Sequence, residues 1–318
     1  MCLSFCCKIK TQNSKNKDNN NESDSDSDEE EDPFKKFLKY NFLETIGHGA
    51  TSIIRVVKKN DNDKKLVAKI VERQSLNKAL REIHVLKKLK RKTTDNFYPI
   101  FFDSFLLNMK TYIIMDYCFS EDLHSFYFSG HKKLNFEYNK QIIIHTILNM
   151  TQSIIELHSR GFVHLDIKLE NFILTDKKQI KLIDFGTAHK MTDRERKLET
   201  ITGTRGYSPP EIYRNAYHRN SDVWALGICI WILIVRTYCF HHKNLNHSYK
   251  FNNFPEQEFY FPNKKQVELM NKYNVSVPIR KLFIEIFKIF PLDRCSLEYI
   301  YYFDFEKNYD FVLSEGEK

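Results

Sequence analysis

From Tyr40 the chain alternates apolar and polar positions at strand spacing, through FLETIGHG, SIIRVVKK, a polar NDND turn and KLVAKIVE. Successive strand side chains point to opposite faces, so this stretch predicts three antiparallel strands. The period then changes. In LNKALREIHVLKKLK, Leu76, Leu80, Ile83 and Leu86 recur at helical spacing, which predicts a helix with an apolar stripe toward the sheet. Glu82 stands four residues before Leu86 and therefore shares that inward face. YIIMDYC reads as a further strand, and the segment from about Tyr138 to His158 as a long helix stopped by Gly161. FIL, a TDKKQ turn and IKLIDFG form a short hairpin with acids at both ends, and from Asp222 the pattern is mainly helical. The apolar run Val223 to Val235 falls short of the ~20 residues of a membrane-crossing helix, so it reads as a buried core helix.

Ahead of this patterned body, Thr11 to Asp32 carries almost no apolar side chain and is expected to be disordered, because nothing there offsets the entropy of ordering. The formal net charge is +8, yet Glu22 to Asp32 holds eight acidic residues and no basic one, so the rest of the chain carries +16. A basic body draws acidic partners. Here Lys, Asn, Ile, Phe and Tyr are over-used together, as A/T-rich codons would produce, and no nucleic-acid partner is expected. Ser23, Ser25 and Ser27 within the acidic run are either acceptors for an acid-directed kinase or solvated filler.

At the start, MCLSFCCKIK sets Cys2, Cys6 and Cys7 among Leu3, Phe5 and Ile9 beside two lysines. Residue 2 is not glycine, which excludes myristoylation, while the clustered cysteines are candidates for acylation and peripheral membrane attachment, free thiols being the alternative. The seven cysteines show no C-x-x-C pairing and no secretory signal precedes them. A reducing cytoplasmic compartment fits, the nucleus remaining open, and a monomer is expected. The spacing of Cys239, His241, His242 and His247 matches no common zinc pattern, so a polar loop is expected there.

The densest chemistry lies in HLDIKLEN, His164 to Asn171, where Asp166, Lys168, Glu170 and Asn171 are all unfavourable to bury without partners. Gly47-His48-Gly49 lies between two strands; glycines in such a place serve either a hairpin turn or a close backbone approach to an anion. Lys69 sits in the apolar strand LVAKIV and needs a counter-charge, for which Glu82 is the natural candidate. The pair is either structural or a means of holding a lysine toward phosphate oxygens. Asp166, Asn171 and Asp184 form an all-oxygen donor set of the kind that suits Mg²⁺, with Asp166 better placed as base toward a hydroxyl. Lys168 would offset charge on a transferring phosphoryl group.

Taken in order, Gly47-x-Gly49, Lys69, Glu82, H-L-D-I-K-L-E-N, D-F-G at Asp184 to Gly186 and S-P-P-E ending at Glu211 resemble the motifs of eukaryotic protein kinases, over roughly Tyr40 to Tyr302. The resemblance implies an α+β, two-lobed fold, with a small antiparallel N-lobe sheet and one main helix over 40–115 and a mainly helical C-lobe over 119–305, flanked by tails 1–39 and 306–318. It implies ATP and Mg²⁺ in the cleft, with Asn171 and Asp184 as metal ligands. Ile46, Gly47 and Gly49 would cover the nucleotide, with Ile54, Val67 and Ala68 near the apolar roof, Met115 at the back, the backbone of Asp116 to Cys118 on adenine and Asp122 on the ribose. Lys69, paired to Glu82, would meet the phosphates. Glu211 and Arg294 would form a buried ion pair, and Asp222 would hold the backbone of the catalytic loop.

Lys168 and Gly203-Thr204 resemble the serine/threonine kinases, so protein substrates with Ser/Thr acceptors are implied, with Thr204 bonded to Asp166 and Lys168. Glu170 would face a basic substrate residue. Several positions depart from the family pattern: Leu165 stands where most relatives have arginine, Ser52 replaces the third glycine, Leu169 a proline and Pro209 an alanine. Without that arginine, a phosphate at Thr200 or Thr202 would lack its usual cationic partner. The stretch Thr237 to Val275 matches the family poorly and is expected to hold an insert. Two other readings compete: an idle kinase-like scaffold, and a small-molecule kinase of choline or aminoglycoside type, which shares H-x-D-x-x-x-x-N.

Overall fold

The structure, a computed structural model, describes residues 31–49, 51–90, 97–118, 121–128, 140–240 and 256–309. Cys2, Cys6 and Cys7, the serines of the acidic run, the expected helix start at Tyr138 and His241, His242 and His247 lie outside these residues. The packed body begins at Pro33 with helix α1 (Pro33–Leu38).

Five strands follow: β1 (Tyr40–His48), β2 (Ser52–Lys59), β3 (Lys65–Glu72), β4 (Phe101–Leu107) and β5 (Lys110–Asp116). They form one antiparallel sheet in the order β1-β2-β3-β5-β4, with helix α2 (Leu76–Lys90) inserted between β3 and β4. The three strands expected from alternation and the YIIMDYC strand are all present; β4 was not anticipated. The sheet is buried on both faces, and β3 shows how the alternation divides it. Val67 and Val71 pack with Ile113, Met115 and α2 residues, whereas Leu66, Ala68 and Ile70 pack on the other side with Tyr40, Val57, Phe105 and Ile114. Lys69 shares the face of Val67. Ala68 therefore does not roof the cleft, as expected from the sequence, but faces away from it.

Helix α2 buries Ala79, Ile83, Leu86 and Leu89, while Leu80 is 53% exposed. The contact position expected for Leu80 belongs to Ala79, a side chain small enough to bring the helix close to the sheet. Glu82 is buried as expected.

On the outer face of the sheet, α1 packs against β4. Phe37 stacks on Phe42 with centroids 4.9 Å apart and meets Phe105 and Tyr112 edge-on, while Lys36 pairs with Asp103 at 3.1 Å. Packing against the sheet thus begins at Pro33, upstream of the expected domain start at residue 40.

The lower body starts with β6 (Glu121–Asp122) and α3 (Leu123–Phe128), followed by α4 (Lys140–Ser159), which closes at Gly161 with φ +82°. After β7 (Phe162–Val163), the strands β8 (Phe172–Leu174) and β9 (Ile180–Leu182) make the expected hairpin, which β6 extends to three strands. Short elements β10 (His189–Lys190), β11 (Arg196–Lys197), α5 (Pro210–Tyr213) and β12 (Ala216–Tyr217) lead to α6 (Ser221–Val235), in which every side chain is buried. Around it pack α4 and α8 (Val277–Ile286), preceded by α7 (Lys264–Lys272) and followed by α9 (Leu297–Tyr301) and α10 (Phe305–Asn308). Among the described residues no helix is long and apolar enough to cross a membrane. The packing runs past the expected end at 305: Tyr309 is buried, and Ser276 Oγ donates to the Asn308 carbonyl at 2.5 Å.

If α1 belongs to the stable body, Phe37→Ala should lower the unfolding free energy by about 2 kcal/mol, through lost aromatic packing. Chemical denaturation would read this as a lower midpoint at unchanged slope; an unchanged midpoint would place α1 outside the cooperative unit.

Candidate active site

Between the sheet and the lower body lies a cleft of about 380 Å³, within the usual range for small-ligand sites. Its walls bring together Ile46, Gly47, Gly49, Ile54, Val67, Lys69, Glu82, Met115, Asp116, Cys118 and Asp122, which come from β1, β2, β3, α2, β5, β6 and the turns beside them, and Asp184. Gly49 belongs to a tight turn: its N–H donates to the Ser52 carbonyl at 2.8 Å, and a side chain at Gly49 would press on Ser52 Oγ at 2.9 Å. The third position of the loop is serine, and the turn closes on it.

Lys69 Nζ lies 2.7 Å from Glu82 Oε2 and 2.8 Å from Asp184 Oδ1. Burial works against the ammonium, but Asp184 and Glu82 outweigh it and hold the Lys69 pKa above the usual lysine value. Asp184 is held far below the usual carboxylate range, chiefly by Lys69. Glu82, deeply buried, is shifted up by desolvation despite Lys69. The Asp184 backbone sits in the left-handed region at φ +63°, and Oδ1 also accepts from Gly186 N at 3.3 Å, which turns the carboxylate toward the cleft. Phe185, next in sequence, is fully buried against His164 and Tyr98. Arg81 adds a tie that sequence reading missed: its guanidinium donates to the Gly186 carbonyl at 3.1 Å.

A second polar cluster lies on the loop before β8. Thr204 Oγ1 donates to Asp166 Oδ1 at 2.6 Å, and Lys168 Nζ donates to Thr204 Oγ1 at 2.8 Å. Asn171 Nδ2 donates to the Asp166 carbonyl at 2.7 Å, which leaves Asn171 Oδ1 without a hydrogen bond among the described residues. Asp184 Oδ2 is likewise without one. Two unengaged oxygen donors, one of them a carboxylate, fit a hard divalent cation that keeps other oxygen ligands. Glu170 accepts from the buried Tyr207 hydroxyl at 3.3 Å and lines the cleft edge.

The loop itself is held from below. Asp222, fully buried at the start of α6, accepts from His164 N at 2.8 Å, Leu165 N at 2.9 Å and His158 Nε2 at 2.9 Å. Burial opposes its charge, but these hydrogen bonds and the neighbouring histidines keep its pKa below the ordinary aspartate value. Arg294 meets Glu211 through two hydrogen bonds of 2.7 Å, and Ser221 Oγ donates to the same carboxylate at 2.8 Å.

Leu165 adopts φ +64° and is buried with Val163, Leu198, Ile212 and Tyr217, against Met191 and Ile201. Where the family usually has a cation, this chain has an apolar contact with the segment 191–201. Gly203 keeps the segment close: at φ +85°, a Cβ there would come within 2.6 Å of the Leu165 carbonyl. Pairing of β11 with β12, and Leu198 N donating to Asn215 O at 2.7 Å, fix the same stretch through its backbone.

The hinge at Asp116 has a brace that was also missed. Asp116 Oδ2 accepts from Lys181 Nζ at 3.0 Å and Oδ1 from Ile100 N at 2.5 Å, so one carboxylate joins β9, β5 and the turn before β4. Lys181 stands in the apolar stretch IKLI and is buried, the same signal that singled out Lys69. Asp122, expected at a ribose, accepts from Ser125 N and Oγ while lining the cleft. The Cys118 thiol is pushed up to about 12 by burial and by Asp116, so it stays protonated near neutrality.

Residues 40–305 match the protein kinase domain family. The chain is 28% identical over 278 residues to the probable serine/threonine-protein kinase CCRP1 of Zea mays, covering 85% of this chain and 41% of that protein. It is 29% identical over 205 residues to human serine/threonine-protein kinase Nek2, covering 61% and 45%, and 31% identical over 208 residues to CDPK-related kinase 5 of Arabidopsis thaliana, covering 62% and 33%. The chain spans less than half the length of each of these relatives.

The apolar seat of Leu165 can be tested directly. Leu165→Arg should destabilise the protein by about 2 kcal/mol or more, since a cation would enter an apolar cluster without a partner. Leu165→Met, which conserves volume, should cost less than about 1.5 kcal/mol. Equal midpoints for both variants in chemical denaturation would refute the apolar seat.

Proposed function

The chain belongs to the protein kinase family, and on that premise we propose that it transfers the γ-phosphoryl group of Mg-ATP to serine or threonine hydroxyls of protein substrates. The observation that carries this reading is Lys69 held between Glu82 and Asp184, at 2.7 Å and 2.8 Å, in a cleft of nucleotide size. Kinases need this lysine–glutamate pair and this aspartate in place together. Mg²⁺, when bound, would supply charge neutralisation at the β- and γ-phosphates, and Asn171 and Asp184 would hold it. Lys69 would orient the phosphates. Asp166 would accept the proton of the substrate hydroxyl, with Thr204 and Lys168 fixing the carboxylate, and Lys168 would also meet charge on the transferring group.

Protein rather than small-molecule substrates are supported by the ordered segment from Thr202 to Glu211, which ties Thr204 to the base and Glu211 to Arg294. An idle scaffold is disfavoured because the lysine, the base and the oxygens that would face a metal are all present, with the lysine and the base within hydrogen-bond distance of their partners. The names of the relatives, and Lys168 beside Thr204, support serine/threonine over tyrosine acceptors.

With radiolabelled ATP, Mg²⁺ and an arrayed peptide library, the wild-type chain should label serine or threonine peptides. Asp184→Ala should lower the rate by about a thousandfold or more, while Asp166→Ala should lower turnover yet keep nucleotide affinity near wild type. Full turnover in Asp184→Ala would refute the mechanism.

The apolar hold on residues 191–201 leads to a separate expectation. The double variant Thr200→Ala, Thr202→Ala should keep its rate within about twofold of wild type, because no cation at position 165 waits for a phosphate. A large drop in steady-state rate would count against it.

A further inference from the structure

We propose that Arg81 is a positioning residue for the metal: by holding the Gly186 carbonyl it fixes the direction in which Asp184 presents its second oxygen, and so sets the affinity for Mg²⁺ once nucleotide is bound. The inference rests on the kinase reading above and names a side chain that shapes the same site without touching nucleotide or metal.

The first observation is how the turn around Asp184 is shared between the two halves of the site. From the lower body, His164 Nε2 meets the Ile183 carbonyl at 3.1 Å, Phe185 is buried against His164 and Tyr98, and Thr187 Oγ1 donates to the His164 carbonyl at 3.0 Å. These ties fall at 183, 185 and 187. The residues between them are held from the other side, Asp184 by Lys69 on β3 and Gly186 by Arg81 on α2. Among the described residues this is the one hydrogen bond that the Arg81 guanidinium makes. Arg81 is half-buried, and its charge adds to the burial that lowers the His189 pKa, which sets the guanidinium between Gly186 and β10.

The second observation is that Gly186 works in both directions. Its carbonyl accepts from Arg81 at 3.1 Å, and its N–H donates to Asp184 Oδ1 at 3.3 Å. The residue is buried, and a Cβ on it would lie 3.6 Å from Lys78 Cβ and 3.3 Å from Asp184 Oδ1, so α2, the glycine and the carboxylate are packed one on the next. A buried carbonyl that loses its donor stays unfavourable until the peptide finds another partner, and a glycine backbone turns readily toward one. That rotation would draw the N–H away from Asp184. The bond to Oδ1 is already long, so it orients the carboxylate only while the turn stays where Arg81 places it.

Charge alone predicts the opposite effect. A guanidinium near Asp184 repels a divalent cation, so its removal would tighten Mg²⁺ binding if only its field mattered. Removal of a residue that aims the carboxylate loosens Mg²⁺ binding instead. The sign of the change therefore separates the two roles.

The test titrates the full chain with a fluorescent ATP analogue, with and without Mg²⁺, and reads the ratio of the two dissociation constants. Arg81→Met keeps the apolar stem and removes the donor. It should cut the Mg²⁺-dependent gain in affinity by about fivefold or more, the scale of one partly exposed charge-assisted hydrogen bond, with metal-free affinity near wild type. Arg81→Gln keeps the position polar but shortens its reach, and should show the same loss, while Arg81→Lys, which can still donate to the carbonyl, should recover most of the gain. In peptide phosphorylation the Arg81→Met rate should climb toward wild type as Mg²⁺ is raised, a rescue that a mere loss of fold stability would not show. An unchanged ratio, a tighter Mg²⁺ response in Arg81→Met, or an Arg81→Lys variant as impaired as Arg81→Met would overturn the proposal while leaving the kinase reading intact. Wild-type chain that binds no nucleotide and labels no peptide would overturn both.

Discussion

A lysine in the middle of an apolar strand keeps its charge only if carboxylates come to it, and the upper half of the site is built around that demand. Lys69 draws Glu82 from helix α2 and Asp184 from beyond β9, three positions that are distant in sequence. Meeting the demand fixes the helix against the sheet and turns Asp184 toward the cleft. It also leaves the second Asp184 oxygen without a hydrogen bond among the described residues, since Lys69 and Gly186 both meet Oδ1. Arg81, bonded to the Gly186 carbonyl, reinforces the same junction from the neighbouring position on α2.

The lower half depends on a different constraint, the seating of a backbone that would not hold its shape alone. Leu165 at φ +64° lies in a region that non-glycine residues seldom occupy, and the hydrogen bonds of Asp222 to the amides of His164 and Leu165 stabilise it there. Those amides need an acceptor, Asp222 needs donors in a fully buried place, and the two requirements satisfy each other. The Glu211–Arg294 pair works similarly, with two parallel bonds that leave neither charge alone in the core.

Much of this was legible in the sequence because it is written in residues that are conspicuous where they stand. Lys69 in an apolar strand, the polar octet from His164 to Asn171 and the inward Glu82 each raise a question of charge that only a partner answers, and the structure brings those partners within hydrogen-bond distance. What escaped notice was carried by contacts without such a signal. Strand β4 was missed because FFDSFLL alternates imperfectly, and α1 because PFKKFL is too short to show a period. Ala68 was placed on the wrong face, although strict alternation from Lys69 assigns it to the other side. Lys181 carries the same mark as Lys69, but its acid, Asp116, lies 65 residues away on another strand, and nothing in the local sequence of either announces the pairing.

The apolar seat at Leu165 also gives the segment 191–201 a different physical temperament from one clasped by charge. Contacts among Leu165, Leu198, Ile201 and Ile212 draw on the release of hydration water, so ionic strength leaves their grip nearly untouched and cooling weakens it. The order of that segment then follows the thermometer more closely than the salt around it.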